Sequence, residues 1–417
     1  MIDINLIRKE SEKVIEALSR RGVSREKIVS LIDQDELWRK LTTQAEELKA
    51  QQNEASKAIG QAKPEDREAK IKSAGALAEE LKSLESKLSE AAVERDAIWR
   101  SLPNIPREDV PDGGEDSGKE LRRVPTELPI KEFEQKHYLD LIEKEDIDLE
   151  RASRVSGSRF VYLSGHIARL HLALVSFAID RVTEKGFIPV IPPVLVSKSA
   201  MAGMGYLDSH SDEVYQTQDD LVLVGTSEQS LGPRHMNEIL EEQDLPLRYA
   251  GYSSCFRREA GSHGKDVRGI LRMHQFEKVE MFSITTPEKS NEEHEFLLAT
   301  QEEMMKELGL PYRVVTLSAG DLGMPSAKTY DIETWLPGEN RYRETHSTSN
   351  TTDYQSRRLN IRLRRVDGGV VKAHMLNGTA FAIGRTIIAI LENYQQSDGS
   401  IAVPEALKQY LPFDKIG

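Results

Sequence analysis

The amino-acid sequence predicts an α+β protein: a long antiparallel helical hairpin, then a core in which helices flank an antiparallel sheet. Three observations predict it. Residues 28–99 contain no proline except Pro64 and no aromatic except Trp38 and Trp99, and are dominated by the strong helix formers Ala, Leu, Glu, Lys and Gln. A segment dense in breakers follows, Leu102-Pro103-Asn104-Ile105-Pro106 and then Pro111, Gly113, Gly114 and Gly118. Beyond it strand-like runs mix with helical periodicities, and no GxGxxG or GxxxxGK[ST] phosphate loop occurs.

In the hairpin, Leu41, Leu48 and Ala55 recur every seventh residue, with Leu37, Ala45 and Ile59 beside them. Ala74, Leu77, Leu81, Leu84, Leu88, Ala91 and Ile98 form a second stripe, interrupted only by Arg95. Between the stripes, Gly60-Gln61-Ala62-Lys63-Pro64 reads as a helix stop and a helix start, with Glu65, Asp66 and Glu68 at the positive end of the second helix. At about 1.5 Å per residue, two helices of roughly 30 to 35 residues span about 50 Å, more than a compact domain needs. A dimerisation coiled coil and a packed bundle hairpin remain open beside a projecting arm. Acidic residues slightly outnumber basic ones here, so no basic stripe decides between them.

The breaker segment is expected to be a linker between domains at 1–105 and 106–417. In the second, Phe187–Ile191, Arg248–Tyr252 and Phe276–Ile284 have strand character, and Ile167–Glu184 and Glu292–Leu308 have helical spacing. The strands outnumber what a Rossmann domain needs, which favours an antiparallel sheet.

With 417 residues, 38% of them hydrophobic, the chain can bury a large core. A net charge of −13 excludes a protein that coats nucleic acid by charge alone. The single cysteine, Cys255, excludes an internal disulfide and a multi-cysteine zinc cage. The opening MIDINLIRKE carries charges of both signs and no apolar block of signal-peptide length, and no apolar run reaches membrane-spanning length. The expectation is a soluble, cytoplasmic protein without membrane partners. His137, His166, His171, His235 and His294 lack zinc-ligand spacing, so no zinc is expected.

Three segments carry chemistry. Cys255-Phe256-Arg257-Arg258-Glu259, a loop with Gly261, Gly264 and Gly269, and Arg272-Met273-His274-Gln275-Phe276 can hold a nucleotide. Arg forks to phosphate oxygens, Glu accepts from an adenine amino group and Phe offers a stacking face. Cross-strand ion pairs on a solvated hairpin are the competing reading. Asn377-Gly378-Thr379-Ala380 leads into a run from Phe381 to Glu392 that is apolar almost all round, expected as a buried helix, which makes Arg385 anomalous. A buried guanidinium demands an anion, either a ligand or a core carboxylate. The third segment, Lys185 to Leu195, reads as a helix end, a strand and a proline stop.

In this order the segments resemble the signature motifs of class II aminoacyl-tRNA synthetases. Gly186, Phe187, Val190 and Pro193 resemble motif 1, the dimer-interface element; Phe256, Arg257, Glu259, Arg272 and Phe276 resemble motif 2; Gly378 to Arg385 resembles motif 3. The strings FRREAGSHGKDVRGILRMHQFEKVEM, VSGSRF, LPNIP and NGTAFAIGRT are similar to those of the bacterial seryl-tRNA synthetase family, and the likeness spans essentially the whole chain.

The resemblance implies seryl-adenylate formation from L-serine and ATP, then transfer of serine to the 3′ end of tRNA(Ser), with tRNA(Sec) a second candidate acceptor. It implies a homodimer whose arm, residues 1–105, reads tRNA by shape. Arg257 and Arg385 become the catalytic groups, on the α-phosphate and the γ-phosphate end. The implied ATP set adds Arg258, Glu259, Arg272, Phe276, Glu344, Thr345, His346 and Ser347, with Glu344 and Ser347 as Mg²⁺ ligands. The implied serine set is Thr226, Ser227, Glu228, Arg257, Glu280, Asn377 and Thr379. Carboxylates answer an ammonium group, and a hydroxyl in a small pocket answers a hydroxyl. The chain departs from the common family pattern at Gln229-Ser230, where Val-Pro is usual, and at His346 and Thr348. A synthetase-like ligase that loads a carrier protein is the alternative; the complete arm counts against it.

Overall fold

In a computed structural model, residues 1–208, 211–260 and 268–417 are described. Gly261 and Gly264 of the expected loop lie outside the described residues. The chain divides into two compact units, Ile2–Leu102 and Pro103–Gly417, with Met1 grouped with the latter.

The first unit is built around α1 (Arg25–Gly60) and α2 (Pro64–Arg100), which pair as an antiparallel hairpin. Ser24 caps α1 by accepting from the Lys27 N–H, and Pro64 occupies the first turn of α2, where a missing N–H costs nothing. Ala45, Leu81 and Ala91 are buried in the seam. Arg95, the polar intruder, lays its guanidinium 4.0 Å from the centre of the Trp38 ring and pairs with Asp96. The seam therefore accommodates a charge by stacking it.

The second unit holds β1 (Lys119–Val124), α3 (Gly165–Glu184), β2 (Ile188–Val190), β3 (Leu247–Phe256), β4 (Gln275–Thr285), α4 (Ser290–Glu307), β5 (Tyr312–Thr316), β6 (Lys328–Leu336), β7 (Arg341–Asn350), β8 (His374–Ala382) and α5 (Ile383–Asn393). The strands make one eight-stranded sheet in the order β1-β5-β6-β7-β8-β4-β3-β2. All neighbours are antiparallel except the edge pair β2–β3, where Ile188 lies beside Tyr249 in parallel. The expected antiparallel, helix-flanked sheet is thus present, with one parallel pair at its edge: more than fifty residues separate the two strands, enough for the crossover that a parallel pair requires.

Phe177, Val279, Met281, Phe381 and Ile387 belong to the main apolar cluster, which draws on α3, the sheet and α5. The helix expected from Phe381 begins only at Ile383, and Phe381 and Ala382 end β8. A strand buried on both faces is as apolar as a buried helix, which is why composition misplaced the boundary. The breaker segment contains the boundary between the two units, and the part beyond it is anchored. Asn104 is buried, and its amide donates to the carbonyls of Pro325 and Thr351 at 2.9 and 2.8 Å.

Candidate active site

Two bulges shape the sheet face that carries the site. On β8 the register shifts between Thr379, opposite Glu280, and Phe381, opposite Val279. The extra residue, Ala380, sends Phe381 into the core while Thr379 stays on the face of Glu280 and Lys278. On β7 the extra residue is Thr345: Glu344 pairs with Glu333 and His346 with Ile332. Glu344 faces the cleft, whereas the His346 ring is fully buried edge-on to Phe381.

Arg257, Glu259, Arg272, Phe276, Lys278, Glu344, Thr345, Thr379 and Arg385 line one pocket, drawn from β4, β7, β8, α5 and the segment between β3 and β4. It adjoins a cavity of about 460 Å³ that shares Arg272, Glu344 and Arg385 and adds Asp331 and Glu333. Arg257 donates to the Gly225 carbonyl at 3.3 Å and lies 5.4 Å from the centre of the Phe276 ring. Glu259, held at φ 53° where the strand turns away, accepts from Arg272 at 2.8 Å. Arg385 enters from the first turn of α5 and is half-buried rather than buried; its Nη1 donates to the Glu344 carbonyl at 2.9 Å and lies 3.2 Å from Oε2. Enclosure raises the Glu344 carboxyl, but the Arg385 and Arg257 charges outweigh it and hold it below the usual range.

A second, more enclosed patch adjoins Arg257. Thr226, Ser227 and Glu228 are buried on a turn where Ser227 donates to the Gly251 carbonyl at 3.2 Å. A Cβ on Gly251 would sit 2.5 Å from Ser227 Oγ, so glycine is required. The Thr226 hydroxyl is buried with no hydrogen-bond partner among the described residues. Glu228 accepts from the Tyr206 hydroxyl at 2.5 Å. Burial and the neighbouring Glu280 charge push its carboxyl up to about 7, against Tyr206, Lys278 and Arg257. Glu280 is itself paired with Lys278 at 2.6 Å and accepts from Thr379 at 3.3 Å. Two buried carboxylates beside one lysine leave a site poised for another cation.

The other expected residues do not line the pocket of Arg257 and Arg385. Arg258 is exposed, its N–H donating to the Glu213 carbonyl at 2.9 Å. Ser347 sits opposite Asp331 on β6. Asn377 is buried two residues before Thr379 on the same face of β8. His346 contributes no ring to the cleft; burial pushes its imidazole down to about 4. Motif reading missed Lys278, Tyr206, Gln229 and Asp331. Strand alternation from Glu280 could have found Lys278; the others depend on tertiary contacts. Gln229 accounts for one departure: its side-chain oxygen accepts the Gly225 N–H at 2.7 Å.

The seryl-tRNA synthetase N-terminal domain family matches residues 1–106, and the tRNA synthetase class II core domain family (G, H, P, S and T) matches residues 212–394. A serine–tRNA ligase of Beutenbergia cavernae is 47% identical over 415 residues, 99% of this chain and 98% of that protein. The chain belongs to the seryl-tRNA synthetase family. Within that family, the crystal structure of seryl-tRNA synthetase from Pyrococcus horikoshii complexed with ATP is similar at 40% identity and a TM-score of 0.92, covering 100% of this chain and 99% of that one. The cytoplasmic serine–tRNA ligase of Naegleria fowleri in complex with AMP is similar at 34% identity and a TM-score of 0.87, covering 100% and 98%. The long hairpin and the helix-flanked sheet are thus seryl-tRNA synthetase architecture. No helix among the described residues is long and apolar enough to cross a membrane.

Proposed function

We propose that the chain is a serine–tRNA ligase that condenses L-serine with ATP to seryl-adenylate and then esterifies the 3′ end of tRNA(Ser). The observation that carries this reading is the convergence of Arg257 and Arg385, from a strand end and a helix start, on one cleft beside a buried dicarboxylate pocket.

The serine carboxylate attacks the α-phosphorus, the bond to the bridging oxygen breaks, and pyrophosphate departs in line. No protein nucleophile is needed; orientation and positive charge lower the barrier. Arg257 holds the α-phosphate and the serine carboxylate, and Arg385 holds the γ-phosphate end. Adenine stacks on Phe276, near Glu259 and Arg272, with Arg258 at the mouth and Thr345 in the wall. Glu228 receives the ammonium group. Glu280, Thr379 and the partnerless Thr226 hydroxyl read the serine hydroxyl, with Ser227 and Asn377 shaping the pocket. Alanine then leaves buried polar groups unpaired and is rejected.

Glu344 and Ser347 would hold Mg²⁺. The donor set fits, because all its atoms are hard oxygens and the neighbouring Asp331 Oδ1 is buried without a hydrogen-bond partner among the described residues. Burial and the Glu344 charge push the Asp331 carboxyl well up, a strain that a cation would relieve. When bound, the ion neutralises phosphate charge.

We assign residues 1–105 to tRNA binding and 106–417 to catalysis, in a cytoplasmic homodimer with tRNA(Sec) as a second acceptor. Exposed Ile188 and Ile191, in the motif 1 segment, support the dimer. The deciding experiment is ATP–pyrophosphate exchange across an amino-acid panel, then acylation of total tRNA. Serine alone should support exchange and charging. Absence of serine-dependent exchange defeats the reading, and charging of a carrier phosphopantetheine thiol without tRNA acylation replaces it.

A further inference from the structure

Tyr206 reaches the serine pocket from outside every motif. The helix Lys198–Met204 ends at Gly205, left-handed at φ 93°, whose N–H donates to Ala202 at 3.1 Å while the Tyr206 N–H returns to Met201 at 3.5 Å. A Cβ on Gly205 would meet the Tyr354 ring at 3.2 Å, so the turn is reserved for glycine. It delivers the Tyr206 ring between two apolar clusters, one holding Met204 and Leu231, the other Met201 and Val224. Fixed there, the hydroxyl donates to Glu228 Oε1 at 2.5 Å.

We propose that Tyr206 is a positioning residue for the amino acid: its hydroxyl occupies one oxygen of Glu228 and leaves the other to receive the serine ammonium. This rests on the assignment of Glu228 to the ammonium group. The groups acting on Glu228 are Glu280 and Lys278 from β4, Arg257 from the end of β3, and Tyr206 itself. Arg234 and His235, on the turn that follows, engage Tyr249 and Glu238 instead. Glu280 favours the protonated form of Glu228, and Tyr206 works against it. Its donation therefore both orients Glu228 and favours its anionic form.

Tyr206→Phe keeps the ring and its packing and removes only the donor. In pyrophosphate exchange its KM for serine should rise about tenfold, the loss of one charge-assisted hydrogen bond, while kcat and the KM for ATP stay within about twofold. Its serine KM should also begin to climb on acidification at a higher pH than in the wild type. A non-hydrolysable seryl-adenylate analogue and its counterpart lacking the amino group separate positioning from general damage. The preference for the amine-bearing compound should shrink in the variant. An unchanged serine KM, or equal weakening of both analogues, overturns the proposal. Failure of serine-dependent exchange in the unmodified enzyme would instead overturn the function on which it rests.

Discussion

Glu344 and Ser347 share one face of β7 because Thr345 bulges between them. Three residues apart on a regular strand, they would point to opposite faces. The register shift pairs Glu344 with Glu333 and Ser347 with Asp331, both on the cleft side of β6. Local strain in the ladder thus creates a pair of oxygen donors. Glu344→Gln and Ser347→Ala should each raise the Mg²⁺ concentration for half-maximal exchange by about tenfold, roughly one charge-assisted contact. A magnesium titration unchanged in both variants removes the assignment.

Arg385 is already oriented by Glu344, with one bond to its carbonyl and a 3.2 Å approach to its carboxylate. Its place on the first turn of α5 keeps the guanidinium over the cleft while the following residues, Thr386 to Glu392, are buried. Arg385→Ala should cut exchange by several powers of ten, as expected where preorganised charge supplies most of the catalysis. Its circular dichroism should match the wild type. Near-normal exchange would contradict the phosphate contact.

Gln229 and Arg257 hold Gly225 from opposite sides, one accepting its N–H and the other donating to its carbonyl. Removing Gln229 frees the turn on which Arg257 leans. Gln229→Ala should lower kcat/KM about tenfold and cost about 1 kcal/mol of stability, the order expected when a part-buried N–H donor, that of Gly225, loses its acceptor. Gln229→Glu, which keeps an acceptor oxygen, should restore most of the kinetic loss. If the alanine variant turns over normally, Arg257 needs no such brace.

What could be read from the sequence follows from the range of the forces involved. Gly60 and Pro64 bound their helices through local backbone chemistry, so the hairpin was legible residue by residue. Arg95 looked like a defect because its stacking partner, Trp38, lies on the other helix. Asn104 could not be recognised as an anchor, since the carbonyls it binds are more than two hundred residues away. In the site, Arg257 and Arg385 were conspicuous as charges beside apolar runs. Tyr206 and Asp331 were not, because an ordinary tyrosine or aspartate becomes unusual only through burial beside a glutamate, Glu228 for the one and Glu344 for the other. The bulges at Thr345 and Ala380 leave no mark in periodicity, and both change which side chain faces the cleft.

His346 gives the core an acid sensitivity. Its ring is buried against Phe381, bonds to the Thr345 hydroxyl at 2.8 Å and is pushed down to about 4 by burial. The unfolded chain therefore takes up a proton near pH 6.5 that the folded chain refuses until about pH 4. Stability should fall as pH drops through that window, by about 3 kcal/mol from this residue. His294, pushed down to about 4 by burial as well, adds a second contribution of the same sign. Urea unfolding between pH 4 and 7 should show a shallower slope for His346→Ser, at a cost of about 2 to 4 kcal/mol at pH 7 from the cavity. An unaltered slope would mean that His346 titrates normally.

The hairpin tests the division of labour between the units. Every strand of the eight-stranded sheet and every residue placed around ATP and serine lies within Pro103–Gly417, which has its own apolar core. Residues 30–98 make up most of α1 and α2 and contribute nothing to that sheet. Replacing them with a short glycine-rich connection should leave serine-dependent pyrophosphate exchange within about twofold. Acylation of tRNA(Ser) should fall by several powers of ten, since a chain of net charge −13 has little non-specific attraction for RNA and must use shape. Both activities follow from one preparation, with seryl-adenylate formation as the control for folding. If the shortened enzyme charges tRNA(Ser) at the normal rate, the arm is not the element that holds the tRNA.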